Sequence, residues 1–173
     1  MPAIERLTPA TYAGAVKELA EVLADAVDDG ASLGFVAPFD RQAAARWWHE
    51  QEAAVAAGAL LVWTARDDAG GIVATAGLSL PGKANARHRA EVVKLLVHRD
   101  ARGRGLARAL LAALEQAAHA AGITLLLLDT RSGSAAESLY LSEGWTRYGV
   151  VPGYAADPDG SLQDCGFFYK RLT

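Results

Sequence analysis

The chain predicts a mixed α/β fold, with helices packed on a central sheet. Three observations lead there. Apolar residues recur at helical spacing over long stretches such as 9–28 and 106–117; short runs such as AEVVKLLV and ITLLLLDT are almost continuously apolar; and the turn signals DDAGG and DPDG sit between β-type runs at hairpin distance. Read in order, the elements are β-α-α-β-β-β-α-β-α-β-β.

Residues 3–7 form a short first strand. Pro9 then stands where a helix starts, with Thr8 as its cap, and Tyr12, Val16, Leu19, Leu23 and Ala26 mark the apolar face of a helix over 9–28. DDG at 28–30 stops it. A loop with Gly34, Pro38 and two aromatics follows. Asp40 caps a second helix, in which Ala44, Trp47, Trp48, Gln51 and Val55 share one side. ALLVWTARD and GIVATAGLSL flank DDAGG as a hairpin. Residues 90–97 are a strand buried on both faces. Even spacing there puts Glu91, Val93, Leu95 and Val97 on one face. A helix over 103–121 carries Leu106, Leu110, Leu114 and Ala117 on one stripe. ITLLLLDT is the next strand. Ser134 and Glu137 have the spacing of a capping box, opening a short helix that ends at Gly144. WTRYGVVPGY and CGFFYKRL close the chain as strands around DPDG.

With 173 residues, about half of them apolar, the sequence fits a single domain over 1–173 with a sizeable core. Its net charge of −3 argues against a bulk nucleic-acid binder. The lone Cys165 excludes an internal disulfide and any multi-cysteine zinc site. The four histidines lack metal-ligand spacing, and DPDGSLQD places its glycine wrongly for a calcium loop, so no metal is expected. No leader-like segment or membrane-length apolar window is evident, which leads to the expectation of a soluble, cytoplasmic protein. Monomer and homodimer both stay open.

The chemistry concentrates at ARGRGLARAL, 101–110. A helix start carries about half a positive charge and unpaired N–H groups. Gly103 and Gly105 remove side chains that would hold a phosphate away, while Arg102 and Arg104 add charge. In outline this is a pyrophosphate cradle. It is not a Walker A loop, because GxxxxGK-S/T is absent, and not a dinucleotide fingerprint, because G-x-G-x-x-G would need glycine at 108, which is arginine.

R-x-x-G-x-A at 102–107, between an apolar strand and an amphipathic helix, resembles the acyl-CoA-binding motif of the GCN5-related N-acetyltransferase (GNAT) family. A-x-x-L-Y-x-x-x-G-W at 136–145 resembles that family's next helix. LDTRSGSAAESLY and PGYAADPDGSLQDCGFFYKRL look like a subgroup that includes the tabtoxin-resistance acetyltransferase. The resemblance implies a mostly antiparallel sheet with about four helices and two strands splayed apart, here those ending near Val97 and Asp129. It also implies acetyl-CoA as cosubstrate. Pantetheine would pair with the backbone of Leu95, Leu96 and Val97, and the pyrophosphate would rest on the N–H groups of Gly103, Arg104, Gly105, Leu106, Ala107 and Arg108. An amine would attack the acetyl group directly, with an N–H near Leu96 polarising the carbonyl. Many members carry asparagine seven residues before the tyrosine; here that position is Gly133.

Two proton transfers are required: the amine must lose a proton, and the departing thiolate leaves better if it gains one. Tyr140 matches the family tyrosine and is the candidate acid; the alternative is a core tyrosine packing helix on sheet. Glu91 matches the catalytic glutamate of histone-acetylating members and is the first candidate base; the alternative is a strand-end charge paired with Arg89. Asp129 ends an apolar strand, where open α/β sheets bind ligands; it is a second acidic candidate, or else a helix-cap or turn aspartate. Cys165 has no paired base in sequence and reads as a buried strand cysteine. The acceptor site is expected around Phe35, Trp47, Trp48 and the segment Tyr154–Asp164. Its aromatics, with Asp157, Asp159 and Asp164, would suit a cationic amine; the alternative for each of them is an ordinary core tryptophan or a solvated turn charge.

The predicted activity is acetyl transfer from acetyl-CoA to a primary amine on a small molecule, amino-acid-like or antibiotic-like. A protein lysine or N-terminus is the nearest alternative acceptor. A non-catalytic acyl-CoA binder is the alternative from another class. A nucleic-acid contact through the four arginines of 99–108 lacks interleaved aromatics.

Overall fold

The computed structural model describes residues 3–173. Its strands are β1 (Ala3–Arg6), β2 (Leu60–Arg66), β3 (Ile72–Ser79), β4 (Arg89–Val97), β5 (Leu125–Arg131), β6 (Thr146–Ala156) and β7 (Leu162–Arg171); its α-helices are α1 (Pro9–Asp28), α2 (Arg41–Glu50), α3 (Glu52–Ala56), α4 (Leu106–Ala120) and α5 (Ala135–Ser142). The strands form one sheet in the order β1-β2-β3-β4-β5-β7-β6. Only β4 and β5 run parallel. The mixed, mostly antiparallel sheet expected from the sequence is therefore present. The expected second helix is divided at Gln51 into α2 and α3. Among the described residues, no helix is long and apolar enough to cross a membrane.

Local signals set most of the boundaries. Thr8 Oγ1 accepts the Thr11 N–H at the start of α1, and Asp40 Oδ1 accepts the Ala43 N–H at the start of α2. Ser134 Oγ takes the Glu137 N–H as a capping box requires. The reciprocal bond differs: Glu137 accepts from Gly133 N rather than from the cap residue itself. Glu137 is 7% exposed and also holds Arg147 at 3.1 Å, so this carboxylate ties α5 to β6.

Two apolar layers cover the sheet. On one face α4 buries Leu106, Leu110, Leu111, Leu114 and Ala118 against Ala90, Val92, Leu126, Leu128 and Phe168. On the other, α1 and α2 bury Leu19, Leu23 and Trp48 against Val62, Ile72 and Leu96.

Strand β4 does not keep the simple alternation that its sequence predicts. Gly77 pairs with Val93 and Thr75 with Leu96, so Lys94 and Leu95 together oppose Ala76 in a bulge. Lys94 takes φ +51°, a left-handed conformation unusual for a side-chain-bearing residue. The extra residue shifts the phase of the strand. Ala90, Val92, Leu95 and Val97 face the α4 layer, while Val93 and Leu96 join the α1–α2 layer. Glu91, between Ala90 and Val92, shares the α1–α2 face with Val93. It does not share a face with Leu95 and Val97, as unbroken alternation would require.

Candidate active site

The parallel ladder between β4 and β5 stops early. It pairs Arg89 with Leu125, Ala90 with Leu126 and Glu91 with Leu127, and then the strands diverge. The opening is part of a cavity of about 950 Å³, which runs from the start of α4 to β5, α5 and β6. Of the residues singled out from the sequence, Glu91, Leu95, Leu96, Val97, Arg102, Gly103, Gly105, Leu106, Ala107, Arg108, Asp129 and Tyr140 all line it. Arg104 does not; its guanidinium turns back onto the Asp100 carbonyl at 3.2 Å.

Helix α4 begins at Leu106, three residues later than the sequence pattern indicates. Gly103 and Gly105 hold φ of +74° and +76°, outside helical space, so the chain coils into a loop before the helix can propagate. Gly105 is the cap, and no side chain satisfies the first turn. The N–H groups of residues 103–108 have no protein acceptor among the described residues. Such a run of free donors at the positive end of a helix is suited to a diphosphate. The flanking arginines contribute less charge than their number implies. Arg102 is bound to Asp29 at 2.6 Å, holding that carboxyl below its usual range, and Arg108 is bound to Glu143 at 2.7 Å. Arg99 is clamped by Asp25 and Asp28. The end of α1 thus grips the loop that precedes α4.

Tyr140 lies on α5 with its ring packed edge-on to Trp145 and tilted against Phe168. It is 6% exposed, yet it lines the cavity, and its hydroxyl has no protein hydrogen-bond partner among the described residues. Burial first, and the negative charge of Asp129 second, push the phenol above its ordinary range. The hydroxyl therefore stays protonated and available as a donor.

Glu91 and Asp129 face the cavity from the two diverging strands. Both are open to its solvent but surrounded by protein. Burial raises the Glu91 carboxyl and the Asp129 charge raises it further. Burial also raises Asp129, against the opposing pull of Lys94. The Arg89 charge also acts on Glu91, though no ion pair within 4.0 Å forms between them among the described residues, and Ser134, not Asp129, caps the following helix. Since the folded chain binds these protons more tightly than the unfolded chain, the fold loses stability as pH rises from the ordinary carboxylate range through the raised values. Asp129→Asn is expected to have a higher thermal midpoint than the native protein at neutral pH, and the gain should shrink in acid. Melting curves across pH test this; an advantage that grows in acid contradicts it.

Sequence reasoning missed Lys94. It stands alone as a charge within VVKLLV, which was the available signal. Its Nζ donates to the Leu33 carbonyl at 3.1 Å and lies 5.4 Å from the Phe35 ring centre and 4.9 Å from that of Trp47. The aromatics expected to receive a substrate cation thus hold the chain's own ammonium. Trp48 is core, with its Nε1–H on the Leu19 carbonyl. The expected acidic residues of the hairpin are also engaged: Asp157 with Arg131, Asp159 with Ser161 and Asp164 with the Gly153 N–H. Cys165 is buried as expected, but it lines the cavity as well, and burial raises its thiol.

The loop between α1 and α2 reaches across to the β6–β7 turn, where the Ala37 N–H meets the Pro158 carbonyl at 2.8 Å. Ser32, Leu33 and Gly34 from that loop, with Tyr154 and Ala155 from β6, line the cavity.

Residues 19–145 match the Acetyltransferase (GNAT) family. Solved structures of the same fold include a ribosomal-protein-alanine N-acetyltransferase from Brucella melitensis, 24% identical with a TM-score of 0.78 over 98% of this chain and 99% of that one. A phosphinothricin acetyltransferase from Sinorhizobium meliloti, in complex with AcCoA, is 17% identical with a TM-score of 0.83 over 99% and 88%. The Salmonella typhimurium protein yncA, with its cofactor acetyl-CoA, is 21% identical with a TM-score of 0.76 over 100% and 95%. A diphosphate-ready loop, a sheet opened between two strands and the family match over most of the chain lead to one conclusion: this protein belongs to the GNAT family and is an acetyl-CoA-dependent N-acetyltransferase.

Proposed function

We propose that the acceptor is a primary amine on a small molecule, amino-acid-like or antibiotic-like in class. The observation that carries this reading is the loop between α1 and α2: its Ser32, Leu33 and Gly34 line the cavity with Tyr154 and Ala155, and the bond from the Ala37 N–H to the Pro158 carbonyl ties the loop to the β6–β7 turn. A peptide or protein tail needs an open groove along which to lie; an enclosed pocket suits a compact acceptor. The likeness of LDTRSGSAAESLY and the C-terminal hairpin to the tabtoxin-resistance subgroup supports the same class, as does a fold shared with a phosphinothricin acetyltransferase.

In this reading the N–H groups of residues 103–108 hold the cosubstrate's diphosphate, and the free edge of Leu95–Val97 lies along its pantetheine. Bound acetyl-CoA supplies an activated thioester. The chain's own residues then handle protons and orientation. Glu91 and Asp129 attract the acceptor ammonium, and one of them takes its proton. Their raised carboxyls make them better bases than ordinary surface carboxylates. Tyr140 donates from its hydroxyl to the departing sulfur. A backbone N–H near Leu96 polarises the carbonyl. At Gly133, φ is +75°, a conformation that asparagine also tolerates; glycine keeps the turn but offers no side chain to the cosubstrate.

The test is thiol release with acetyl-CoA against free amino acids, phosphinothricin, aminoglycosides and peptides with free N-termini. Turnover confined to the small amines supports the reading. Turnover confined to peptides overturns it.

A further inference from the structure

Four cationic side chains line the cavity: Lys94, Arg102, Arg108 and Arg131. Arg102 is paired with Asp29, Arg108 with Glu143 and Arg131 with Asp157. Lys94 differs from these three: no carboxylate lies within 4.0 Å of its ammonium among the described residues. Its protein partners are one carbonyl and two aromatic faces, so two of its three N–H donors are uncommitted. Burial lowers its affinity for the proton, and the charges of Asp129 and then Glu91 offset part of that effect without reaching ion-pair distance.

Its position gives the uncommitted donors a purpose. The bulge turns Lys94 onto the α1–α2 face of the sheet, the face shared by Val93 and Glu91. Beyond the seam, Asp129 faces the same way, because Leu126 and Leu128 on either side of its phase are buried in the opposite layer. The same cavity is therefore lined by two carboxylates and one ammonium, all on the α1–α2 face of the sheet. That is the charge complement of a molecule bearing an amine and an anion close together.

We propose that Lys94 determines acceptor specificity by binding a carboxylate that the acceptor carries beside its reactive amine. The proposal rests on the small-amine reading above and narrows it to zwitterionic acceptors. The amine end meets Glu91 and Asp129; the carboxylate meets Lys94, whose aromatic surround and bond to Leu33 fix it in place. An uncharged amide in place of the carboxylate forfeits a charge-assisted contact with the ammonium.

The experiment compares kcat/KM for L-amino acids with that for their α-carboxamides, in the native enzyme, in Lys94→Gln and in Lys94→Arg. A charge-assisted contact leads to a roughly tenfold to hundredfold preference for the carboxylate in the native enzyme. In Lys94→Gln the preference should fall to within about twofold, and in Lys94→Arg part of it should return. Comparing ratios between enzymes cancels the different basicity of the carboxamide amines. A preference that persists in Lys94→Gln overturns the proposal, even if both acceptors slow, since equal slowing marks a residue that merely pins the loop. A native enzyme indifferent to the carboxylate overturns it too, while leaving the small-amine reading standing. No thiol release with either series, against turnover of peptides, overturns both.

Discussion

Gly105→Glu is expected to weaken acetyl-CoA binding at least about a hundredfold in calorimetry, because two or more charge-assisted bonds to phosphate are lost together. The reasons are local. Gly105 caps α4 at φ +76°, and apart from its chain neighbours nothing lies within 4 Å of where a Cβ would stand, so a side chain built there has room and projects from the loop that carries the free N–H groups. A carboxylate in that place takes up the donors itself and repels the diphosphate. The left-handed backbone adds about 1 kcal/mol of strain, and the thermal midpoint should fall by only a few degrees. Gly105→Ala separates the effects: it carries the strain without the charge, and should retain most of the binding. Unchanged affinity in a folded Gly105→Glu protein sinks the assignment of this loop to the diphosphate.

Tyr140→Phe is expected to lower kcat by roughly a hundredfold or more while leaving the acetyl-CoA dissociation constant within about twofold. The substitution is structurally mild. The hydroxyl has no protein partner among the described residues, so its loss orphans nothing, and the ring contacts with Trp145 and Phe168 remain. A general acid acts only as charge develops on the departing sulfur, so its removal appears in turnover and not in binding. Native turnover in the variant would reduce Tyr140 to a packing residue. A slower enzyme whose cosubstrate affinity collapses in parallel would point to a misplaced α5 instead.

Much of this architecture was legible because its causes are local. Thr8, Asp40 and Ser134 announce their helices, the hairpin turns carry their own glycines, and the cradle is written in consecutive residues. What escaped depends on partners far apart in sequence. Arg102 reads as free phosphate-binding charge until Asp29, at the end of α1, is seen to hold it. Phe35 and Trp47 read as a box for a foreign cation until the bulge brings Lys94 over both rings. The bulge itself is invisible to period-two reasoning, since one extra residue in a strand of valines and leucines changes no local pattern. Placing Glu91 on the face of Leu95 followed from that assumption. The Glu137 bond to Gly133 rather than to Ser134 is a smaller case, in which a buried carboxylate serves both a turn and the distant Arg147.

The short β4–β5 ladder has a mechanical consequence. Three residue pairs join β1–β4 to β5–β7, whereas β5 and β7 alone share seven. The sheet is in effect two stiff plates meeting at a narrow hinge, with the cavity as the open angle between them. A ligand lying in that angle acts as a wedge that also supplies backbone partners, replacing the missing length of strand. Compliance is thus concentrated beside the cavity. Loading it should stiffen the whole sheet, with amide-exchange protection spreading along β4 and β5 beyond the residues that the ligand touches.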